Sequence, residues 1–159
     1  MSVKSIVRGA LIGALYVLLT LVVQPISSGL MQLRVSEALS VLPYFTPAAV
    51  PGLFIGCFVA NLIMGSPIWD VVFGSLATLL AAAATYGIKK AGLSKWLAPL
   101  PAVLINAVIV GYILTYVYEV GVPFEISALY VGAGQAISCY LLGMPLLFGL
   151  KKFGKKLFA

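Results

Sequence analysis

Few side chains in this sequence are suited to binding a polar molecule, and two of them stand close together. The stretch 32–43 reads QLRVSEALSVLP and carries Arg34 and Glu37 between long apolar runs. In an α-helix these two charges, three residues apart, would lie on one face, together with Ala38 and Val41. A guanidinium donates several hydrogen bonds and a carboxylate accepts them. The pair therefore either binds a polar ligand or neutralises itself.

Further polar and aromatic side chains interrupt the apolar runs, namely Asn61, Trp69, Asp70 and Gln135. With Arg34 and Glu37 they supply carboxylates, amides, a guanidinium and an indole, which is the composition of a small-molecule site. We predict these six residues as a substrate site.

Each of these residues also has a structural explanation. Asp70 could complement a helix dipole after Pro67, and Trp69 could sit at the membrane interface. Asn61 and Gln135 could make hydrogen bonds between helices. The acidic turn 119–125 is expected to be a solvated loop, and whether it closes over a ligand stays open.

Several catalytic constellations are missing from the sequence. There is no histidine, and the two cysteines, Cys57 and Cys139, lie far apart in apolar segments, where we expect small buried hydrophobes. No zinc motif, nucleophile elbow or phosphate-binding G-x-x-x-x-G-K-[ST] loop occurs. We therefore expect neither an enzyme, nor a metal or cofactor in this chain, nor ATP hydrolysis by it.

The composition indicates an integral membrane protein. Of 159 residues, 62% are hydrophobic and 9% are charged, against roughly 25% charged in soluble domains. Because a membrane-spanning helix needs about 20 residues, the length suffices for five or six spans and no second domain. We predict an all-α bundle in a single transmembrane domain, 1–159, with spans near 4–23, 34–45, 48–64, 68–88, 96–118 and 126–150.

Basic residues gather in three clusters at helix ends, in 4–8, 89–95 and 151–156. Cytoplasmic loops are enriched in lysine and arginine, and this pattern is favoured over a nucleic-acid surface. With five crossings the 89–95 turn would fall outside the cell. Counting 34–45 as a sixth crossing places all three clusters and both termini in the cytoplasm of a multi-pass cell-membrane protein.

The second crossing is unusually short. Twelve α-helical residues rise about 18 Å, against a hydrocarbon core of about 30 Å. A charge at the centre of a lone span costs about 2.5–3.5 kcal/mol. The segment must therefore be shielded by neighbouring helices, and we expect it to form the wall of an outward-facing pocket.

Small residues form a stripe on the first helix, at Gly9, Ala10, Gly13 and Ala14. Such spacing allows another helix to approach closely. The partner is either a neighbour within this chain or a separate subunit.

Three runs resemble the QueT family of membrane proteins: RVSEALSVLP at 34–43, GCFVANL at 56–62 and WDVVFGSLAT at 69–78. Members of that family are substrate-binding S components of energy-coupling factor (ECF) transporters, a class of ABC importer associated with queuosine precursors. The resemblance implies six helices, cytoplasmic termini and an outward-facing pocket, in agreement with the charge pattern.

The resemblance also implies partners: a transmembrane T component, docked by the A-x-x-x-A pattern of Ala10 and Ala14, and two cytosolic ATPases. The S component itself is expected to be monomeric. Its ligand would be a 7-deazaguanine such as preQ1 or queuine, with Glu37 and Asp70 dividing the base edge and the exocyclic amine between them.

In the same hypothesis Arg34 donates to the O6 carbonyl, Asn61 and Gln135 read the remaining edges, and Trp69 stacks on the base. The alternatives are an S component for a different vitamin or base, a small homo-oligomeric channel, and a membrane scaffold without a ligand.

Overall fold

The computed structural model describes residues 2–24 and 33–157, with side chains up to Lys152. Gln32, at the start of the charged stretch, lies outside the described residues. Within the described ranges every regular element is helical, which confirms the all-α prediction.

Six helices follow one another along the described chain. They are α1 (Val3–Val22), α2 (Val35–Tyr44), α3 (Ala49–Ile63), α4 (Asp70–Lys90), α5 (Lys95–Val117) and α6 (124–157). Four of them, α1, α4, α5 and α6, are long and apolar enough to cross a membrane, and α3 is a shorter apolar helix. The helix ends agree with the predicted ones within a few residues, except that α6 continues through the basic tail.

Helix α2 is a 3₁₀ helix of ten residues, so the expectation of an α-helix was wrong. A 3₁₀ helix rises about 2.0 Å per residue, so α2 extends about 20 Å. Side chains three residues apart align along such a helix, so α2 has three columns of side chains. One column, with Leu39 and Leu42, packs in the cluster that contains Tyr16 and Leu53. Val41, in another column, packs against the end of the bundle formed by Ala98, Met144 and Leu147.

The predicted shielding of α2 is confirmed, since every residue from Ser36 to Pro43 is buried. Contacts on all sides also give the physical reason for the 3₁₀ form. The tighter helix stretches the same ten residues farther across the bundle than an α-helix would, so that they contact α1, α4 and α6 at once.

Helices α1 and α3 cross at a glycine seam formed by Gly9 and Gly13 on α1 and Gly52 and Gly56 on α3. A Cβ added at Gly52 would lie 2.5 Å from the carbonyl oxygen of Gly9, and one at Gly56 would lie 2.8 Å from that of Gly13. The backbones therefore touch directly. The glycines of the stripe pack inside the chain, as one of the two alternatives predicted, and its alanines lie on the surface. Docking of a separate subunit on these alanines stays a prediction.

The bundle has a basic end and a polar end. At the basic end the Lys89 ammonium lies over the ring of Tyr44, 4.9 Å from its centroid, and that of Lys95 lies 4.3 Å from the centroid of Phe148. Alternate helices run in opposite directions, so the start of α2, the end of α3 and the start of α4 meet at the other end.

Candidate functional site

At the polar end, Asn61 connects three helices. The Arg34 side chain donates a 3.4 Å hydrogen bond to Asn61 Oδ1, and Asn61 Nδ2 donates a 3.2 Å bond to the backbone carbonyl of Asp70. Asn61 is fully buried. The amide therefore holds the start of α2 against the end of α3 and the first turn of α4, and it bridges Arg34 and the backbone of Asp70.

Glu37 lies deeper, one helical turn beyond Arg34 along α2. Its side chain is 3% exposed, and its Oε1 accepts a 2.5 Å hydrogen bond from the hydroxyl of Tyr16, which is itself 1% exposed. Within the described ranges Arg34 and Glu37 form no salt bridge. The carboxylate is thus held by a neutral donor from α1 and not by direct pairing with the nearby arginine.

A second contact beside Tyr16 fixes α1 against α2. The hydroxyl oxygens of Thr20 and Ser36 share a 2.8 Å hydrogen bond, and both side chains are fully buried. Tyr16 and Thr20 are four residues apart and face α2 together. Two adjacent bonds therefore set the position of the first turn of α2 relative to α1.

Two polar atoms at this end are buried without a hydrogen-bond partner in the described part of the chain. They are Nε of Arg34 and the hydroxyl of Tyr118. Leaving a buried donor unpaired costs about 1–3 kcal/mol, so each such group calls for an explanation.

Tyr118 follows directly after α5 and lies near Asp70. Burial disfavours the phenolate, the Asp70 carboxylate repels it, and contact of the hydroxyl with that carboxylate favours the neutral phenol. Together they raise the pKa of Tyr118 to about 12. Its phenol is therefore neutral at physiological pH and can both donate and accept a hydrogen bond. Asp70 is half-buried, unlike the enclosed Glu37.

Gln135 approaches α2 from α6. It is 3% exposed, and its Oε1 is 3.6 Å from the Cys139 thiol, which lies 3.5 Å from the backbone carbonyl of Glu37. Ser40 Oγ is also 3.5 Å from that thiol. Gln135 thus approaches Glu37 through Cys139, and Cys139 is a polar contact of α2 as well as a small buried side chain.

Trp69 lies outside this cluster. Its side chain is 46% exposed and stacks on Phe73, with ring centroids 5.6 Å apart. Both rings line an apolar groove of about 320 Å³ on the surface between α4 and α5. The predicted stacking of Trp69 on a bound base stays a prediction.

Sequence reasoning missed Tyr16 and Tyr118. Tyr16 shares one face of α1 with Gly9, Gly13 and Thr20, all of them buried, so the helical spacing from the glycine seam could have found it. Tyr118 ends an apolar run and carries no comparable signal.

Wide π-helical turns interrupt α4, α5 and α6 next to the cluster. The turn Asp70–Gly74 begins with Asp70, the turn Ile113–Val117 precedes Tyr118, and the turn Ile137–Leu142 contains Cys139. Such turns are rare and frequently occur at functional sites. The first of these turns begins α4, the second ends α5, and the third lies within α6.

A family model described as QueT transporter matches residues 6–152. The chain belongs to the QueT transporter family. This confirms the resemblance seen in the three motif runs, all of which lie inside the matched range.

A curated relative within the QueT family is the queuosine precursor transporter QueT of Lactococcus lactis subsp. cremoris (strain MG1363). The two chains are 40% identical over 78 residues, which are 47% of this chain and 45% of the relative. The match thus spans less than half the length of that relative. No solved structure matches this chain.

Proposed function

We propose that this chain is the substrate-binding S component of an ECF-type importer and captures a queuosine precursor, a 7-deazaguanine such as preQ1 or queuine, at the polar end of the bundle. The family and the name of the relative support the substrate class. The single observation that carries the site is that Arg34, just before α2, and Glu37, in its first turn, lie close together yet do not pair.

The donor and acceptor on α2 suit a guanine-like edge. That edge presents an O6 acceptor beside an N1–H and a 2-amino donor. Arg34 directly precedes α2, and its backbone carbonyl accepts a 3.0 Å hydrogen bond from the Glu37 N–H. Arg34 can therefore donate to O6 from its unpartnered Nε while Glu37 accepts from the neighbouring donors. A carboxylate has about four lone-pair sites, so the bond from Tyr16 leaves Glu37 with acceptor capacity.

The orientation in the membrane follows from the basic end. Lysines and arginines are enriched on the cytoplasmic side, so the end with Lys89 and Lys95 faces the cytoplasm. The polar end then opens outward, and both termini are cytoplasmic. Substrate is taken up from outside.

Uptake against a gradient requires partners, since this sequence has no ATP-binding loop. Ala10 and Ala14 are exposed and line a surface groove of about 410 Å³ between α1 and α3. Its small residues allow close approach of another helix. This groove is the proposed docking surface for the T component, which in turn binds two cytosolic ATPases.

Calorimetric titration of the purified protein tests the proposal. Wild type should bind preQ1 or queuine, and Glu37→Gln should weaken that binding at least about tenfold, because it removes a charge-assisted acceptor. Glu125→Gln is the matched control, since Glu125 is exposed at the start of α6 and its replacement should change nothing.

A wild-type protein that binds none of the deazaguanines would overturn the proposal. Tight binding of another vitamin in a parallel thermal-shift panel would instead favour an S component for that compound. Equal affinities of wild type and Glu37→Gln would remove Glu37 from the site.

A further inference from the structure

The polar cluster has more acidic than basic side chains, so its formal charge is negative when both carboxylates are ionised. It contains one guanidinium, Arg34, and two carboxylates, Glu37 and Asp70, neither of which forms a salt bridge within the described ranges. The other basic residues belong to the segments 4–8, 89–95 and 151–156, away from the polar end. A ligand that brings one positive charge would complement this cluster better than a neutral one.

The two carboxylates differ in depth. Glu37 is almost fully enclosed and already accepts a hydrogen bond from Tyr16, whereas Asp70 is partly exposed in the first turn of α4. Removing an ammonium from water is far more costly than removing neutral N–H groups. A cationic group is therefore better placed at Asp70, and the neutral edge of a base at Glu37.

Tyr118 supplies a second acceptor beside Asp70. Its hydroxyl is buried beside the Asp70 carboxylate but makes no hydrogen bond of regular geometry in the described part of the chain. The π-helical turn that begins with Asp70 packs against α5, which ends next to Tyr118. An ammonium between the carboxylate and the phenol would find two acceptors and would satisfy the unpartnered hydroxyl.

We propose that Asp70 and Tyr118 form an outer subsite for a cationic amine on the 7-substituent of the ligand, while Glu37, Arg34 and Tyr16 form the inner subsite for its base edge. This inference rests on the proposed function and divides the roles of the two carboxylates. It makes the site selective for deazaguanines with an amine, and it gives Tyr118 a role in that selection.

Two ligands with the same base test the subsite. PreQ1 carries an aminomethyl group that is cationic at neutral pH, and preQ0 carries a neutral nitrile at the same position. In calorimetric titrations wild type should bind preQ1 at least about tenfold more tightly than preQ0, because only the amine makes charge-assisted bonds.

Variants at the two subsites should separate the contribution of the amine from that of the base edge to the binding affinity. Asp70→Asn should weaken preQ1 binding about tenfold or more and leave preQ0 within about twofold. Tyr118→Phe should lower the preQ1 preference by a smaller factor, about threefold. Glu37→Gln should weaken both ligands alike, and the exposed Glu125→Gln should weaken neither. Retained preQ0 binding shows that a variant is folded.

Equal affinities of wild type for preQ1 and preQ0 would overturn the outer subsite while deazaguanine binding itself survives. So would an equal loss of both ligands in Tyr118→Phe. If wild type binds neither ligand, the proposed function fails. The wild-type comparison decides between these outcomes even if Asp70→Asn does not fold.

Discussion

The glycine seam between α1 and α3 and the polar cluster at the start of α2 are packed on opposite principles. In the seam the two backbones fit each other so closely that a Cβ at Gly13 would lie 2.9 Å from the carbonyl oxygen of Gly52. In the cluster, Arg34 Nε and the Tyr118 hydroxyl are buried without partners in the described ranges. The seam is complementary to itself, whereas the cluster keeps unpaired polar atoms, which the proposed substrate would pair.

Tyr16 belongs to both regions. A Cβ added at Gly56 would lie 2.9 Å from the Cβ of Tyr16, and the hydroxyl of the same side chain holds Glu37. The close approach of α1 to α3 therefore sets where the phenol reaches α2. The closely packed glycine seam thus positions a hydrogen-bond donor of the polar cluster.

The largest expected effect comes from breaking the seam. Gly52→Ala places a methyl group against the Gly9 carbonyl and forces the helices apart, which should lower the free energy of unfolding by about 2–3 kcal/mol. Gly87→Ala is the control, because Gly87 lies within α4 and a Cβ there meets nothing within 4 Å. That change should stabilise the helix by about 0.5–1 kcal/mol. Denaturant unfolding in detergent measures the free energy of unfolding of both variants. Equal changes in the two variants would contradict the close backbone contact at the seam.

A smaller effect is expected from Tyr16→Phe. The change keeps the packing at Gly56 but leaves the buried Glu37 carboxylate without its donor, which should cost about 1–2 kcal/mol of stability. Tyr112→Phe, at a tyrosine that is 55% exposed, should have no effect. The two variants are compared by thermal unfolding. An unchanged Tyr16→Phe protein would show that the seam does not position Glu37.

The smallest effect on stability is expected at Ala14, on the exposed side of the seam. Ala14→Leu should change the free energy of unfolding by less than about 0.5 kcal/mol, since the side chain points away from the packed glycines. It should nevertheless fill the surface groove and prevent copurification with a T component and its ATPases. Leu11→Phe, in a groove on another face of α1, is the control. Normal assembly of Ala14→Leu would exclude this groove as the docking surface.

Much of the fold could be predicted because hydrophobic length and charge position report directly on membrane spans. The six helices and the shielding of α2 follow from those two patterns. The 3₁₀ form of α2 does not, because residues such as Arg34 and Glu37 are neighbours at a spacing of three in either kind of helix. Contact with several helices at once decides between the two forms, and that information is not local.

The site was predictable to the extent that charged and amide groups are rare in apolar helices. Arg34, Asn61 and Asp70 stood out in the sequence and meet in the structure. Tyrosine is different, because its ring is at home in the membrane interface and in the core alike, so Tyr118 gave no signal. The direction in which Trp69 points depends on its stacking with Phe73 and could not be deduced from its position in the chain.

The short α2 also has a consequence for biosynthesis. Two of the helices that enclose it, α4 and α6, leave the ribosome later than α2 does. A ten-residue helix of about 20 Å that carries Glu37 is too short and too polar to remain alone in lipid. We expect this segment to wait at the membrane surface during translation and to enter only when α6 completes its enclosure, so that the binding site is the last part of the protein to form.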